Sequence, residues 1–236
     1  MRRLEGQPSG SNVGFFSELG DRVVGAPSIL SANFAHLARD VQRARDGGAE
    51  LIHFDVMDNH FVPNLTVGPA VAASLTVATE LPINAHLQVS RPDNLIPAFA
   101  EAGVQSIAVQ PEVVTHLHRT LESIRACGCE AGVALAPSTS PEKIQWALPY
   151  LDFIIVMSVD LGFGGQSFIP EMTDKVRVLR ESGDVPIAVD GGIDAESAPV
   201  MVEAGARVLI AGSAVYKGEP AEEMEKIITA GRDALA

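Results

Sequence analysis

The sequence has little positive charge. Its 236 residues include 17 lysines and arginines against 30 aspartates and glutamates, which gives a formal net charge of −13. Sequence-independent binding to nucleic acid depends on basic side chains that neutralise phosphates, so this balance disfavours a nucleic-acid partner. A small anionic ligand is still compatible with the chain if backbone N–H groups or a metal ion hold it.

Cysteine is scarce as well. Cys127 and Cys129 are the only two, which are too few for a disulfide framework and lack the partners of a zinc ribbon. We interpret them as structural or incidental thiols and expect a cytoplasmic protein. No stretch approaches the roughly 20 apolar residues that span a bilayer, so we expect no membrane partner.

The N-terminal part of the chain lacks a continuous apolar segment. Residues 1–25 contain two early arginines but no secretory or twin-arginine signal. We interpret residues 1–25 as a flexible extension that precedes one domain at residues 26–236. Phe15 and Phe16 leave a docking role for the extension open.

Alternation of short strand-like runs with helical patterns begins at Ala26. This pattern is typical of βαβ units with a parallel sheet. Eight such units predict an α/β fold with a single (β/α)8 TIM barrel, and a doubly wound sheet is the second choice. The predicted strands are Ala26–Leu30, Leu51–Val56, Pro82–Leu87, Ser106–Val109, Ala131–Leu135, Phe153–Ser158, Val185–Asp190 and Val208–Ala211.

Four predicted helices end at a glycine just before the next predicted strand. Glycine tolerates the left-handed conformation of a helix C-terminus, which explains the shared punctuation. The four joints are DGGAELIHFDV, EAGVQSIAVQP, ACGCEAGVALA and EAGARVLIAGS.

Polar residues interrupt three of the predicted strands on the parity that faces the barrel interior. His53 and Asp55 alternate with apolar residues in the second strand, His86 lies in the third, and Asp190 ends the seventh. Each alone is explained as a satisfied polar core residue. Together, two carboxylates are expensive to bury unless a cation lies between them. The four residues therefore predict one divalent metal ion, which their ligand types allow to be Zn, Fe, Mn or Co.

Two glycine-containing turns follow the last two strands. Gly191 and Gly192 follow the seventh strand, and Gly212 and Ser213 follow the eighth. The loops after these strands form the recurrent phosphate site of such barrels. Neither turn has a lysine or arginine beside it, so backbone N–H groups would bind the phosphate. A simple turn is the alternative for each pair.

A glycine-rich segment, GFGGQSF at residues 162–168, follows the sixth strand. Its three glycines, Gly162, Gly164 and Gly165, surround an aromatic residue and favour a loop that closes over a ligand. The alternative is a merely flexible connection.

The chain resembles the ribulose-phosphate 3-epimerase family. The resemblance rests on APSILSANF, HFDVMDNHFVPNLTVGP, MSVDLGFGGQSFIPEM, VDGGI and AGSAVY, which occur in this order. It implies a metal-dependent isomerase that interconverts D-ribulose 5-phosphate and D-xylulose 5-phosphate in the pentose phosphate pathway and the Calvin cycle. A phosphosugar substrate and a homo-oligomer follow by analogy.

Residue roles are implied by the same resemblance. His53, Asp55, His86 and Asp190 would be the metal ligands, and Asp55 and Asp190 would double as the acid/base pair. The substrate would contact Ser28, His86 and the glycine loops. Such chemistry needs two groups because inversion next to a ketone removes a proton on one face and returns one on the other.

Three residues depart from the family pattern. Gln88 replaces a methionine, so that Met57 and Met157 remain of the methionines expected to wall the enediolate, with Gln88 completing the wall. Gln110 stands where histidine is usual. Leu161 replaces a proline, which we expect to loosen the entry to the glycine-rich loop. Rate and sugar preference are the properties that these changes affect.

Other functions are compatible with parts of the pattern. A close alternative is 3-epimerisation of another ketose phosphate such as D-allulose 6-phosphate. An alternative of another class is a paralogue that binds phosphosugars without turnover, although Asp55 and Asp190 argue against it. Phosphosugar decarboxylation ranks last because it would require a lysine that HFDVMD lacks.

Overall fold

Eight parallel strands form one closed barrel in the computed structural model, which describes residues 14–235. The strands pair in sequence order from second to eighth, the eighth pairs with the first, and the bridges Gly25–Ala49 and Ser28–His53 join the first to the second. The predicted single-domain (β/α)8 barrel is confirmed. The strands are β1 (Val24–Pro27), β2 (Ile52–Met57), β3 (Ile83–Gln88), β4 (Ser106–Val109), β5 (Glu130–Leu135), β6 (Phe153–Met157), β7 (Ile187–Asp190) and β8 (Val208–Ala211).

The first strand begins two residues earlier than the sequence predicts. β1 pairs with β8 from Val24 opposite Val208 to Pro27 opposite Ala211. Ile29–Ser31, which the prediction placed partly in the strand, forms a turn of 3-10 helix instead. This turn carries Ser28 and Ser31 to the rim of the barrel.

Eight α-helices surround the strands within residues 14–235, with one irregular connection. Between β5 and β6 the chain has two 3-10 turns, Pro141–Ile144 and Leu148–Tyr150, in place of an α-helix. Prolines within these turns and the short spans between them explain why no longer helix forms there. The α-helices are α1 (Leu37–Asp46), α2 (Pro69–Ala78), α3 (Ile96–Glu101), α4 (Leu117–Ala126), α5 (Met172–Glu181), α6 (Ser197–Ala204), α7 (Ser213–Tyr216) and α8 (Pro220–Asp233).

Side chains along each strand alternate between the helices and the barrel interior. Ile52, Phe54 and Val56 of β2 belong to the apolar core between strands and helices, where the ring of Phe54 lies 6.2 Å from that of Phe99 in α3. The intervening His53 and Asp55 therefore point inward, as their parity predicts.

The glycines predicted at the helix ends adopt the backbone that only glycine favours. The φ angles are +92° at Gly48, +86° at Gly103, +85° at Gly128 and +121° at Gly205. A strand begins within a few residues of each of these glycines, so the positive φ angles end the helices where the chain turns back to the barrel.

The N-terminal end of the barrel is closed by an apolar floor, which we define as Phe16, Leu19, Leu51 and Phe153. The Phe16 and Phe153 rings stack with centroids 4.0 Å apart and planes 7° apart. A Cβ at Gly132 would lie 2.4 Å from the Phe153 ring, so only glycine at residue 132 leaves room for this stack.

The floor corrects the predicted flexible extension over residues 1–25. Residues 1–13 lie outside the described residues. Residues 14–25, in contrast, are packed: Phe16 and Leu19 are each 1% exposed, and the Glu130 carboxylate accepts from the N–H groups of Phe16 and Ser17, both at 3.0 Å. Burial of two large apolar side chains explains why this segment docks.

Within the described chain, no helix is long and apolar enough to cross a membrane. The longest, α8, has 14 residues.

Candidate active site and metal centre

Four side chains meet at the C-terminal end of the barrel, and we call them the His–Asp cluster. His53 and Asp55 come from β2, His86 from β3 and Asp190 from the last position of β7. One ligand atom of each residue lies within 4.8 Å of all the others, and every member is buried. The register explains the meeting, because Asp55 lies opposite His86 in the β2–β3 ladder.

The contacts inside the cluster are short. His53 Nε2 lies 3.2 Å from Asp55 Oδ1 and 3.4 Å from Asp190 Oδ2, and His86 Nδ1 lies 3.3 Å from Asp55 Oδ1. Two imidazole nitrogens and two carboxylate oxygens thus converge on one point.

The outer nitrogen of His53 is oriented by an amide. His53 Nδ1 lies 3.0 Å from Asn84 Oδ1, and Asn84 Nδ2 donates to Ser106 Oγ at 2.9 Å. Because Asn84 uses its N–H group on Ser106, its oxygen faces His53 and accepts from Nδ1–H. His53 therefore presents Nε2 to the two carboxylates.

A second amide orients His86. Gln110 Nε2 as placed would face His86 Nε2 at 2.8 Å with its oxygen among acceptors. The opposite amide orientation satisfies every partner: the amide then donates to Ala134 O at 2.9 Å and to Glu112 Oε2 at 2.8 Å, and its oxygen accepts from His86 Nε2 at 2.8 Å. Glu112 also accepts from Thr139 Oγ1. His86 Nε2–H is thereby fixed as a donor, and the lone pair of Nδ1 faces the cluster.

These orientations bring two lone pairs and two carboxylates together, an excess of negative charge that a cation would offset. Burial lowers the pKa of His53, but the negative charges of Asp55 and Asp190 outweigh burial and raise its pKa to about 10. Burial likewise raises the pKa of Asp55, yet His53 and His86 hold it well below its usual range. The two carboxylates thus favour a positive charge between them.

The donor set suits a divalent metal ion better than a proton. Imidazole nitrogens held as lone-pair donors by outer hydrogen bonds, together with carboxylates, are the usual surroundings of transition metals in proteins. The buried cluster can therefore hold one metal ion, as the sequence predicts. Asn84 and Gln110 are the outer partners. Neither residue was predicted to have this role, although Asn84 shares the strand parity of His86.

Both oxygens of Asp55 are held by neighbouring side chains. Ser28 Oγ, just beyond β1, donates to Oδ2 at 2.6 Å, and Gln88 Nε2 donates to Oδ1 at 2.8 Å. Gln88 Nε2 also faces His86 Nδ1 at 3.2 Å. Asp55 is thus fixed in orientation before any ligand binds.

A cavity opens above the cluster and brings the remaining candidate residues together. Its empty volume, including the open mouth, is about 510 Å³. Met57, Met157 and Gln88, the predicted enediolate wall, all line it. The candidate residues that line it are Ser28, Asp55, Met57, Gln88, Met157, Gly162, Gly164, Gly165, Asp190, Gly191, Gly192, Gly212 and Ser213. His53 and His86 lie below it in the cluster.

The glycine turns after β7 and β8 sit tightly against their neighbours. Gly192 has a φ of +64°, and a Cβ there would lie 2.7 Å from the backbone nitrogen of Phe168. A Cβ at Gly212 would lie 2.9 Å from Ser31 Oγ. Ser31 therefore lies against this turn and lines the cavity, a placement that no sequence motif indicated.

The glycine-rich loop, residues 162–168, covers one side of the cavity. Gln166 donates from its side chain to Asp160 O at 2.6 Å and to Phe163 O at 2.8 Å. Asn64 Nδ2, from the loop after β2, donates to Gly162 O at 2.7 Å. Leu161 is half-buried and packs on the apolar interior of the barrel.

Comparison with known proteins identifies the family. The model of the Ribulose-phosphate 3 epimerase family matches residues 24–216. The chain belongs to the ribulose-phosphate 3-epimerase family. The predicted family and enzyme class, an isomerase that acts on carbohydrates, are thereby confirmed.

Curated members of the family are similar over most of the chain. The ribulose-phosphate 3-epimerase of Bacillus subtilis (strain 168) is 47% identical over 197 residues, which cover 81% of this chain and 91% of that protein. The ribulose-phosphate 3-epimerase of Escherichia coli (strain K12) is 45% identical over 217 residues, which cover 89% and 95%.

Solved structures of other proteins share the barrel. The enzyme KGPDC from Streptococcus mutans superposes with a TM-score of 0.73 at 13% identity, covering 91% of this chain and 99% of that one. A 3-hexulose-6-phosphate synthase gives a TM-score of 0.67 at 16% identity, covering 89% and 99%. At such low identity these likenesses concern the fold alone.

Proposed function

We propose that this ribulose-phosphate 3-epimerase family member is a metal-dependent enzyme that interconverts D-ribulose 5-phosphate and D-xylulose 5-phosphate. The observation that carries the proposal is the pair of carboxylates, Asp55 from β2 and Asp190 from β7, which line one cavity at the C-terminal end of the barrel. The two strands lie on different sides of the barrel, so a sugar bound between their carboxylates has one group on each face.

The proposed reaction moves one proton at a time. One aspartate, as carboxylate, takes the proton from C3, and the electron pair of the broken C–H bond passes into the enediolate formed with the C2 ketone. The other aspartate, as carboxylic acid, returns a proton to C3 on the opposite face. The carbon is inverted with no net oxidation, and the pair ends with its protonation states exchanged.

A carboxylate is a weak base for a carbon acid, so the proposal includes a cation at the His–Asp cluster that would make the C3 proton more acidic. When bound, a divalent metal ion would polarise the ketone oxygen and offset the negative charge that develops during proton removal. The ligands would be His53, Asp55, His86 and Asp190, and Zn, Fe, Mn and Co are all compatible with them.

The other cavity residues are assigned to binding. We infer that the turns Gly191–Gly192 and Gly212–Ser213 hold the phosphate through backbone N–H groups, and that residues 162–168 close over the sugar and limit access of water. Ser28, whose hydroxyl donates to Asp55 Oδ2, would keep Asp55 oriented and contact the substrate.

The first test is proton NMR of D-ribulose 5-phosphate in D₂O with metal-loaded protein. We expect deuterium to enter at C3 while D-xylulose 5-phosphate accumulates. In Asp190→Asn both processes should fall by about 100- to 10,000-fold, the usual worth of one acid/base group. Asp174→Asn, on the exposed face of α5, is the matched control and should behave as the wild type.

The result for the wild type distinguishes the proposed activity from the alternative functions. No exchange at C3, with bound metal confirmed by elemental analysis, would contradict the proposal. D-Allulose 6-phosphate is then the next substrate to test, and phosphosugar binding without turnover of either sugar would indicate a binding-only paralogue.

Two wider properties complete the proposal. We infer a place in the pentose phosphate pathway or the Calvin cycle, and a homo-oligomeric state. Light scattering coupled to size-exclusion chromatography measures the second directly.

A further inference from the structure

The wall of the cavity contains a buried amide with one unused atom. Gln88, the last residue of β3, is 1% exposed. Its Nε2 is used on Asp55 Oδ1 and His86 Nδ1, but no group in the described part of the chain donates to its Oε1. A buried carbonyl oxygen without a hydrogen-bond donor destabilises the protein, so a ligand that donates to this atom would gain binding free energy.

The orientation of this amide is fixed by its neighbours. The lone pair of His86 Nδ1 is the one proposed to bind the metal, whereas the Asp55 carboxylate keeps further lone pairs and accepts from Gln88 Nε2 at 2.8 Å. The NH₂ group of Gln88 must therefore face Asp55 Oδ1. Oε1 is consequently left without a donor among the described residues, in a side chain that lines the cavity.

The place of Gln88 in the barrel limits which part of a ligand can reach it. The strand order puts β3 and β7 on opposite sides of the closed barrel. The phosphate turns follow β7 and β8, whereas Gln88 ends β3, and both line the same cavity. A ketose phosphate anchored at Gly191 and Gly192 therefore extends its other end, which carries C1, toward Gln88.

We infer that Gln88 is a specificity-determining residue whose Oε1 accepts a hydrogen bond from the C1 hydroxyl of the ketose phosphate. Its Nε2 meanwhile holds Asp55 in position, so one side chain reads the substrate and orients an acid/base group. This inference rests on the proposed function, since it takes the same cavity and the same phosphate anchor.

The two amide atoms have separable consequences. Loss of the hold on Asp55 changes the rate with every substrate. Loss of the acceptor changes only the preference for a substrate with a C1 hydroxyl over one without it, because the deoxy sugar leaves Oε1 buried and unpaired.

The test is a cycle of two substrates and two proteins. D-Xylulose 5-phosphate and 1-deoxy-D-xylulose 5-phosphate are compared by deuterium entry at C3, with the wild type and with Gln88→Met. In the wild type we expect kcat/KM to be roughly 10- to 100-fold lower for the deoxy sugar, the usual cost of leaving a buried acceptor unpaired. In Gln88→Met the two sugars should differ by less than about threefold, whatever the overall rate.

The ratio of kcat/KM for the two sugars does not depend on how much of the protein is active. Incomplete folding or metal loading lowers both rates equally and leaves the ratio unchanged. Met57→Leu is the matched control, because Met57 lies opposite Gln88 in the β2–β3 register and has no hydrogen-bonding amide. It should keep the wild-type ratio. Gln88→Leu, which also lacks the acceptor, serves if the methionine variant does not fold.

Two results would overturn the inference, and they differ. A wild-type ratio that persists in Gln88→Met shows that Oε1 does not read the C1 hydroxyl, although the epimerase function stands. No turnover of D-xylulose 5-phosphate by metal-loaded wild type removes the proposed function itself.

Discussion

The two ends of the barrel are built from opposite kinds of side chain. The floor buries Phe16, Leu19, Leu51 and Phe153, each at most 1% exposed, and needs no hydrogen bonds between its side chains. The His–Asp cluster at the mouth buries two carboxylates beside two imidazoles. Apolar burial stabilises the fold, whereas buried charges cost desolvation unless they are compensated. Strand starts therefore carry stability here, and strand ends carry chemistry.

Removal of the metal should produce the largest contrast between the two ends. We expect chelation to lower epimerase activity by at least about 100-fold, because charge stabilisation by a metal contributes several kcal/mol to such reactions. Thermal stability should also fall, since the proposed metal site is assembled only in the folded protein. Activity assays and calorimetry before and after chelation, with metal added back, measure both effects. Full activity in protein shown to be metal-free would refute this expectation.

Truncation at the floor should do the reverse. Phe16→Ala should lower the free energy of unfolding by about 3 kcal/mol, the usual cost of a large buried aromatic. Because the floor lies at the opposite end of the strands, kcat/KM per folded molecule should stay within about twofold, since distant sites act independently. Phe15→Ala is the control, because Phe15 is only half-buried and should cost less. A loss of kcat equal to that of stability would show that the ends are coupled.

A smaller effect is expected at the turn Gly191–Gly192, which we propose to bind phosphate. Gly192→Ala places a Cβ 2.7 Å from the backbone nitrogen of Phe168 at a φ of +64°. A left-handed conformation costs roughly 1–2 kcal/mol for a residue with a Cβ. Relief of this strain and of the clash with Phe168 should displace the turn from its ligand, so KM should rise by about tenfold. Gly183→Ala is the matched control, since a Cβ at Gly183 meets nothing within 4 Å. Equal KM values for the two variants would contradict the assignment of this turn to phosphate.

The smallest effect concerns the polar clamp beside the floor, where Glu130 accepts from Phe16 and Ser17. Burial raises the pKa of Glu130 more than its hydrogen bonds from Ser17 and Phe16 lower it. The folded state then binds the proton more tightly than the unfolded state, so this group's contribution to stability falls as pH rises through the raised pKa.

Glu130→Gln should remove that dependence on pH. The variant's stability relative to the wild type should rise with pH above the ordinary range of a glutamate, by less than about 1 kcal/mol because the carboxyl group is partly exposed. Urea unfolding at several pH values measures the difference. Glu18→Gln, at an exposed position of the same segment, should show none.

Periodicity and parity predicted most of the architecture. β4 and β8 begin and end at the predicted residues, and the inward parity of His53, Asp55 and His86 holds because strand side chains alternate. β1 was misplaced by two residues, since apolar runs do not reveal where a ladder ends and a 3-10 turn begins. Docking of the segment at Phe16 was only left open, because two adjacent phenylalanines in a polar stretch have no period that indicates where they pack.

The orientations inside the site could not be predicted from the sequence. Each orienting hydrogen bond joins side chains from adjacent strands that lie at the same level along the barrel axis. The three bonds are Asn84 to His53, Gln110 to His86 and Gln88 to Asp55. Register between strands sets that level, and register is a property of the assembled barrel.

The clamp at Glu130 also has a consequence for the order of folding. Phe16 donates to a carboxylate 114 residues further along the chain, and its ring rests on Phe153. During synthesis from the N-terminus, this segment is made long before its partners and has nothing to dock on until β5 and β6 exist. The apolar side chains of residues 14–23 therefore leave the ribosome well before β5 and β6 and stay uncovered until those strands form, an interval in which chaperones can protect them.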